Sequence, residues 1–154
     1  MVVFSNGIKD RPSIPNTRYR VAAPTLEEKE VKHTPPMISP LDLGLTPSRG
    51  FNGYCHRQRA CGRLFDCYGF SFCIFAGAIG RVLGIDPYKP HPVLDGNIDI
   101  CGHCPFTMGV GGAFKLFDDV NQGKIEYPTK TYREGIQRIK REGHIKFPKF
   151  QERL

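Results

Sequence analysis

Apolar residues gather into two runs near the middle of the chain. Between Arg63 and Arg81 lie 17 residues with a single charge, Asp66. As a helix this stretch would span about 25 Å, the lower edge for crossing a bilayer. The pattern predicts a helix over 64–85, read as a buried core helix or a short membrane span, with a helix–strand mixture as the other reading. Gly77, Gly80 and Gly84 are three and four apart, so they share a face on which another helix backbone can approach closely. The second run, Ile98 to Phe117, is broken by Asp99, Pro105, Gly109, Gly111, Gly112 and Lys115. Phe106, Val110, Ala113, Phe114 and Phe117 still recur at helical spacing, which predicts a helix starting near Pro105. Asp86-Pro87, Lys89-Pro90 and His91-Pro92 predict an extended crossing between the runs, and Asp95-Gly96 a turn. The two glycine-faced helices are expected to pack as an antiparallel pair.

The clearest amphipathic pattern lies further on. Tyr132, Ile136 and Ile139 form a stripe at i, i+4 and i+7. Thr131-Tyr132-Arg133-Glu134 matches a capping box, and Gly143 suits the position past the helix end. Glu134–Arg138 and Arg138–Glu142 are spaced as ion pairs on the wet side. At the other end of the chain, seven of 13 prolines fall in the first 50 residues, which favours extended geometry there. One short helix is predicted from the capping box Thr25-Leu26-Glu27-Glu28, ending before Pro35.

Charge sharpens this division. Residues 1–50 carry 7 basic and 5 acidic side chains, residues 51–123 carry 6 of each, and residues 124–154 carry 9 and 4. The organisation is therefore a Pro-rich extended arm over 1–50, a Cys/Gly/Phe-rich core over 51–123 and a basic C-terminal helix and tail over 124–154. The expected fold class is mostly α with long extended arms, a small central helical pair, and little or no β-sheet. The apolar start Met1-Val-Val-Phe4 meets Asn6, Lys9, Asp10 and Arg11 at once, so it is not a secretory signal. Prolines between Arg11, Arg18 and Arg20 break the helix that a cleavable mitochondrial presequence needs. Any import address is expected to be internal or uncleaved.

All six cysteines lie between Cys55 and Cys104. Cys55, Cys61, Cys67 and Cys73 are spaced by six, and one helix cannot gather them around a metal. Cys101-Gly102-His103-Cys104 is the compact motif. It reads as half of a zinc site, with His91, Cys55, His56 or Cys61 completing four ligands. The favoured reading is structural, as part of a set of disulfides or buried thiols, since cysteine is among the most buried residue types. The tetrapeptide also resembles the active site of protein disulfide isomerases, which implies a thioredoxin fold and redox activity. In that family the motif starts a long helix. Here Pro105 follows immediately and 50 residues remain, so the redox reading is set aside.

No phosphate-cradling loop and no nucleophile elbow appears, and the five histidines are scattered. The sequence is therefore read as non-catalytic. The leading expectation is an accessory subunit that staples neighbouring protein subunits of a large assembly. A mitochondrial inner-membrane or intermembrane-space complex of the respiratory chain is its expected home, with membrane contact through 64–85. The alternatives are a zinc-containing ribosomal protein that contacts RNA through Lys146, Phe147, Lys149 and Phe150, and a basic cytoskeleton-associated protein. Metal or disulfide candidates are Cys101, Cys104, His91, Cys55 and Cys61, and helix-packing candidates are Gly77, Gly80 and Gly84. No cofactor is expected, with zinc the one exception the cysteine spacing admits.

Overall fold

A computed structural model describes residues 2–5, 18–21, 37–46, 55, 63–93 and 96–154. The chain divides into two contact units, Met1–Thr34 and Pro35–Leu154. In the first, β1 (Val2–Ser5) pairs in parallel with β2 (Arg18–Val21), Val2 opposite Arg18 and Ser5 opposite Val21. The short helix expected after Pro24 lies outside the described residues.

The second unit is mostly helical with little sheet. Its sheet is β3 (Leu64–Asp66), β4 (Gly69–Ser71) and β5 (Tyr88–Lys89), antiparallel in that order. Its helices are α1 (Ala76–Leu83), α2 (Ile98–Cys101), α3 (Gly109–Asn121) and α4 (Lys130–Glu142). Short 3-10 turns occupy Pro40–Leu43, Pro105–Met108 and Phe150–Arg153.

The run 64–85 is thus not one helix, which corrects the first expectation. Aromatic residues favour pleated, half-buried surface, and the Phe65 and Phe70 rings, opposite each other, meet tilted by 35° with centres 4.4 Å apart. Asp66 folds the turn between them, its Oδ1 accepting the Tyr68 amide at 2.9 Å. Gly69 follows with φ of 120°, and a β-carbon there would strike the Lys89 carbonyl. Only eight residues remain for α1. Among the described residues no helix is long and apolar enough to cross a membrane.

The helical pairing also differs from expectation. α1 packs on α2 and on α4, the helix read as part of a basic tail. Two features bring α1 and α4 close. Gly135 of α4 lies directly on the Val82 carbonyl, where a β-carbon would clash. Arg138 then reaches over the end of α1 and donates to the carbonyls of Arg81, Val82 and Leu83 at 3.3, 2.8 and 3.2 Å. A cation on those last carbonyls satisfies groups the helix cannot pair itself and matches the negative end of its dipole. Arg138 therefore lies against α1, not among ion pairs on the wet side. α1 itself stops at Gly84, φ 81°, where the Gly84 and Ile85 amides both return to the Gly80 carbonyl.

Nor do residues 124–154 extend away as an arm. Phe147 is buried against Tyr68 and Tyr88, and Phe150 meets Phe65 and Phe70 edge-on. Arg153 locks the segment down, bonding Asp86 at 2.7 Å and the Tyr88 carbonyl at 3.1 Å. These two rings, read as candidates for RNA contact, are spent on the chain's own hairpin.

Candidate functional site

The buried core cluster brings together Phe72, Cys73, Ala76, Ile79, Ile100, Cys101, Cys104 and Tyr132. Three of its eight members are cysteines, delivered by two different segments. Cys73 sits in the turn between β4 and α1, its Sγ accepting the Phe75 amide at 3.4 Å. Cys101 closes α2, a single turn started by Asn97, whose carbonyl accepts the Ile100 and Cys101 amides. Cys104 follows a further tight turn, its amide returning to the Cys101 carbonyl at 3.0 Å. Pro105 then ends any continuation and starts the next 3-10 turn.

Cys101 and Cys104 are both thiols. Burial pushes the Cys101 thiol up to about 12, and the Cys104 thiol up as well, with Cys73 and Cys55 adding like-charge repulsion to both. Cys55, half-buried, thus lies within electrostatic reach of the pair. Backbone amides oppose the rise: Asn97 hydrogen-bonds Cys101, and Phe106 hydrogen-bonds Cys104.

Of the other sequence candidates, His91 is exposed in the loop after β5, and Cys61 lies outside the described residues. Cys67 is exposed at the tip of the β3–β4 hairpin. The glycines face three different neighbours: Gly77 the Tyr88 hydroxyl, Gly80 the Ile85 carbonyl and Pro87, Gly84 the Arg138 side chain and Ile145. Cys73 was not singled out as a ligand by sequence. Its spacing from Cys101 carries no short-range signal, because the hairpin and α1 fold the two together.

A polar clasp adjoins this cluster through His103. Ser39, fully buried, places its Oγ 2.8 Å from His103 Nδ1. Its amide donates to Thr129 Oγ1 at 2.9 Å, and the Thr129 amide donates to the Met37 carbonyl at 3.1 Å. Asp42 accepts from both the Thr131 hydroxyl, 2.6 Å, and the Thr131 amide, 2.8 Å. Tyr132 donates its hydroxyl to the His103 carbonyl at 2.6 Å. Burial would raise the Asp42 carboxyl, but the bonds from Thr131 and Thr129 with the nearby His103 hold it below its ordinary value. Burial holds the His103 imidazole low, against the Asp42 and Asp99 charges that favour protonation.

The clasp replaces the predicted capping box. Thr129, one position before α4, is its N-cap and makes no side-chain cap of its own. The carboxylate that caps the helix comes from Asp42, 89 residues away. What the arrangement can do chemically is hold: a polar joint ties residues 37–42 to the motif and to α4, while among the described residues no three His, Cys, Asp or Glu side chains stand as a metal-holding group. Comparison with protein-family models, with curated proteins and with solved structures gives no match for this chain.

Proposed function

We propose that this chain is a non-catalytic structural subunit that joins neighbouring proteins of a large assembly, with a mitochondrial membrane complex as its home. The observation that supports the reading is the outer face of α3. Phe114 is 56% exposed and Val110 is 43% exposed, while Ala113 and Leu116 of the same helix are buried. Phe114 continues inward as edge-on rings, through Phe117 to Phe106, which stacks on Phe75 beside the core. Gly109 and Gly111 have open space above them. Large rings held firmly from behind, next to bare backbone, suit an apolar helix of another subunit. The basic surface adds an attraction for acidic neighbours: Lys140, Arg141, Lys146 and Lys149 are all exposed.

The test is native gel migration of the full-length chain in its own cells, tagged at one end. The reading expects a large complex in the mitochondrial fraction, and loss of that complex with Phe114→Asp while the chain still folds. Wild-type chain migrating as a monomer would overturn it. Release of the chain from its complex by ribonuclease would instead favour the RNA-contacting alternative.

A further inference from the structure

We propose that the outer face of the β3–β4–β5 sheet binds single-stranded nucleic acid, with Phe65 as the ring on which a base stacks. This does not rest on the staple reading above, which concerns the outer face of α3.

The register of the sheet decides what each face carries. Side chains alternate across a strand, so residues directly opposite one another share a face. Leu64, Ser71 and Tyr88 stand in one row, and Ser71 and Tyr88 are fully buried, so this row faces the core. Asp66 belongs to the same side, where its Oδ2 accepts the Tyr88 hydroxyl at 3.0 Å. The opposite row is Phe65, Phe70 and Lys89. A sheet with one buried face ordinarily turns polar residues outward. Here two of the three outward residues are phenylalanines, and Phe65 is 55% exposed.

The exposed ring is held in place by the chain itself. Phe70 lies 4.4 Å from Phe65 between centres, and Phe150 meets the two edge-on at 5.3 and 6.2 Å. Phe150 is pinned in turn, its amide donating to the Cys67 carbonyl at 2.8 Å. Phe65 is therefore ordered before anything binds, which keeps the entropy cost of a contact small. Cations accompany the rings. Lys89 completes the outward row, Arg63 stands just ahead of β3, Lys149 precedes Phe150, and all three are exposed. Among the described residues none of the three forms an ion pair. The Asp66 carboxylate is turned to the core, Asp86 is held by Arg153, and Glu152 accepts the Lys149 amide.

This combination selects the occupant. Every base has a flat face to stack on an aromatic ring, and the phosphates on either side of it meet the cations. An acidic peptide would use the cations and leave the ring without a planar partner. A bilayer surface is served by several apolar side chains reaching one depth, and the outward row offers two rings beside a lysine. A duplex keeps its bases inside the stack, so the unpaired strand is the form that fits.

The experiment is fluorescence anisotropy of the full-length chain with labelled oligonucleotides of about 12 nucleotides, as single-stranded RNA, single-stranded DNA and duplex. The expected result is tighter binding of a single strand than of the duplex, weakening with salt at a log–log slope of about −2 for three cations. Phe65→Leu keeps apolar bulk but removes the flat face, and should weaken single-strand binding about 5- to 150-fold. Phe65→Tyr keeps the ring and should restore it, and Lys89→Ala should make the salt slope shallower. No binding of either single strand up to about 100 μM chain overturns the proposal. So does a duplex bound as tightly as the single strands, or a Phe65→Leu chain that binds them as wild type does. If Phe65→Leu instead loses binding to phosphatidylserine vesicles or to polyglutamate with oligonucleotide binding intact, the face belongs to that partner and the proposal fails. Should Phe65→Leu fail to fold by circular dichroism, the single-strand preference of the wild-type chain and the Lys89→Ala slope decide alone.

Discussion

α1 and α3 look alike in sequence, each an apolar stretch punctuated by glycines, yet the two helices use those glycines in opposite ways. Every glycine of α1 and its cap is occupied: Tyr88 lies on Gly77, the Ile85 carbonyl and Pro87 on Gly80, Arg138 on Gly84. Gly109 and Gly111 of α3 meet nothing within 4 Å. The lesson is that small-residue spacing reports only a need for closeness, and the partner can be a strand residue, the helix's own following turn, or a surface still open to another molecule. Gly77 and Gly80 are buried inside one chain, whereas Gly109 and Gly111 keep open space above them and Gly112 sits close to the Met108 side chain.

The sharpest way to break this comparison is to fill the closed side. Gly135→Leu in α4 should push a side chain into the Val82 carbonyl and cost about 1–3 kcal/mol or more. Equal chemical denaturation of mutant and wild type would show that the α1–α4 contact is looser than described. Arg138→Ala comes next. It removes three hydrogen bonds to the α1 carbonyls and should cost about 1–3 kcal/mol, with Arg138→Lys intermediate because an ammonium cannot make the same fork. Thermal melts of the three proteins, ranked in that order, check it.

A smaller effect tests the far end of α4. The Asp42 carboxyl has its folded value below the usual 3.8, so its contribution to stability is complete above that value and is lost as pH falls through the folded one. Amide exchange at Thr131 and Tyr132 should accelerate over that acid range, and Asp42→Asn should flatten the dependence. His103 is the other titratable group near this carboxyl; burial lowers its imidazole from the ordinary value, and its charge in turn helps to hold the Asp42 carboxyl down. The smallest effect is on the open side. Gly111→Ala meets no neighbour and should stabilise α3 by about 0.5–1 kcal/mol. Destabilisation instead would mean that the α3 surface is already packed against something.

The sequence was legible where the signal is local. Tyr132, Ile136 and Ile139 announced α4, and Cys101 with Cys104 announced a tight turn because their spacing is itself the structure. The hairpin of 64–71 was hidden because Leu64 to Phe75 is apolar at nearly every position, and no period distinguishes a strand from a helix in such a run. Ser39 and Asp42 were hidden for another reason. Their partners Thr129 and Thr131 stand 90 and 89 positions away, and nothing in a Pro-rich stretch marks which hydroxyl or carboxylate will be claimed. Residue 131 looked like a self-sufficient cap, and tertiary contact supplied a better acceptor from outside. A shorter separation, 28 residues, was still enough to conceal Cys73 from the Cys101–Cys104 pair.

That long reach also sets a timetable. A chain is made from its N-terminus, so Asp42 emerges long before Thr131 exists. At about 5–20 residues per second, the 89 residues between them take roughly 4–18 seconds to synthesise. Throughout that interval Ser39 and Asp42, which flank the buried Pro40, lack the hydrogen-bond partners Thr129 and Thr131 that hold them in the finished protein. The newborn chain thus carries the clasp residues Ser39 and Asp42 without their partners until residues 129–131 have been made. Chaperone occupancy of nascent chains should fall as residue 131 clears the exit tunnel, making the joint a clock for biogenesis as well as a fastening.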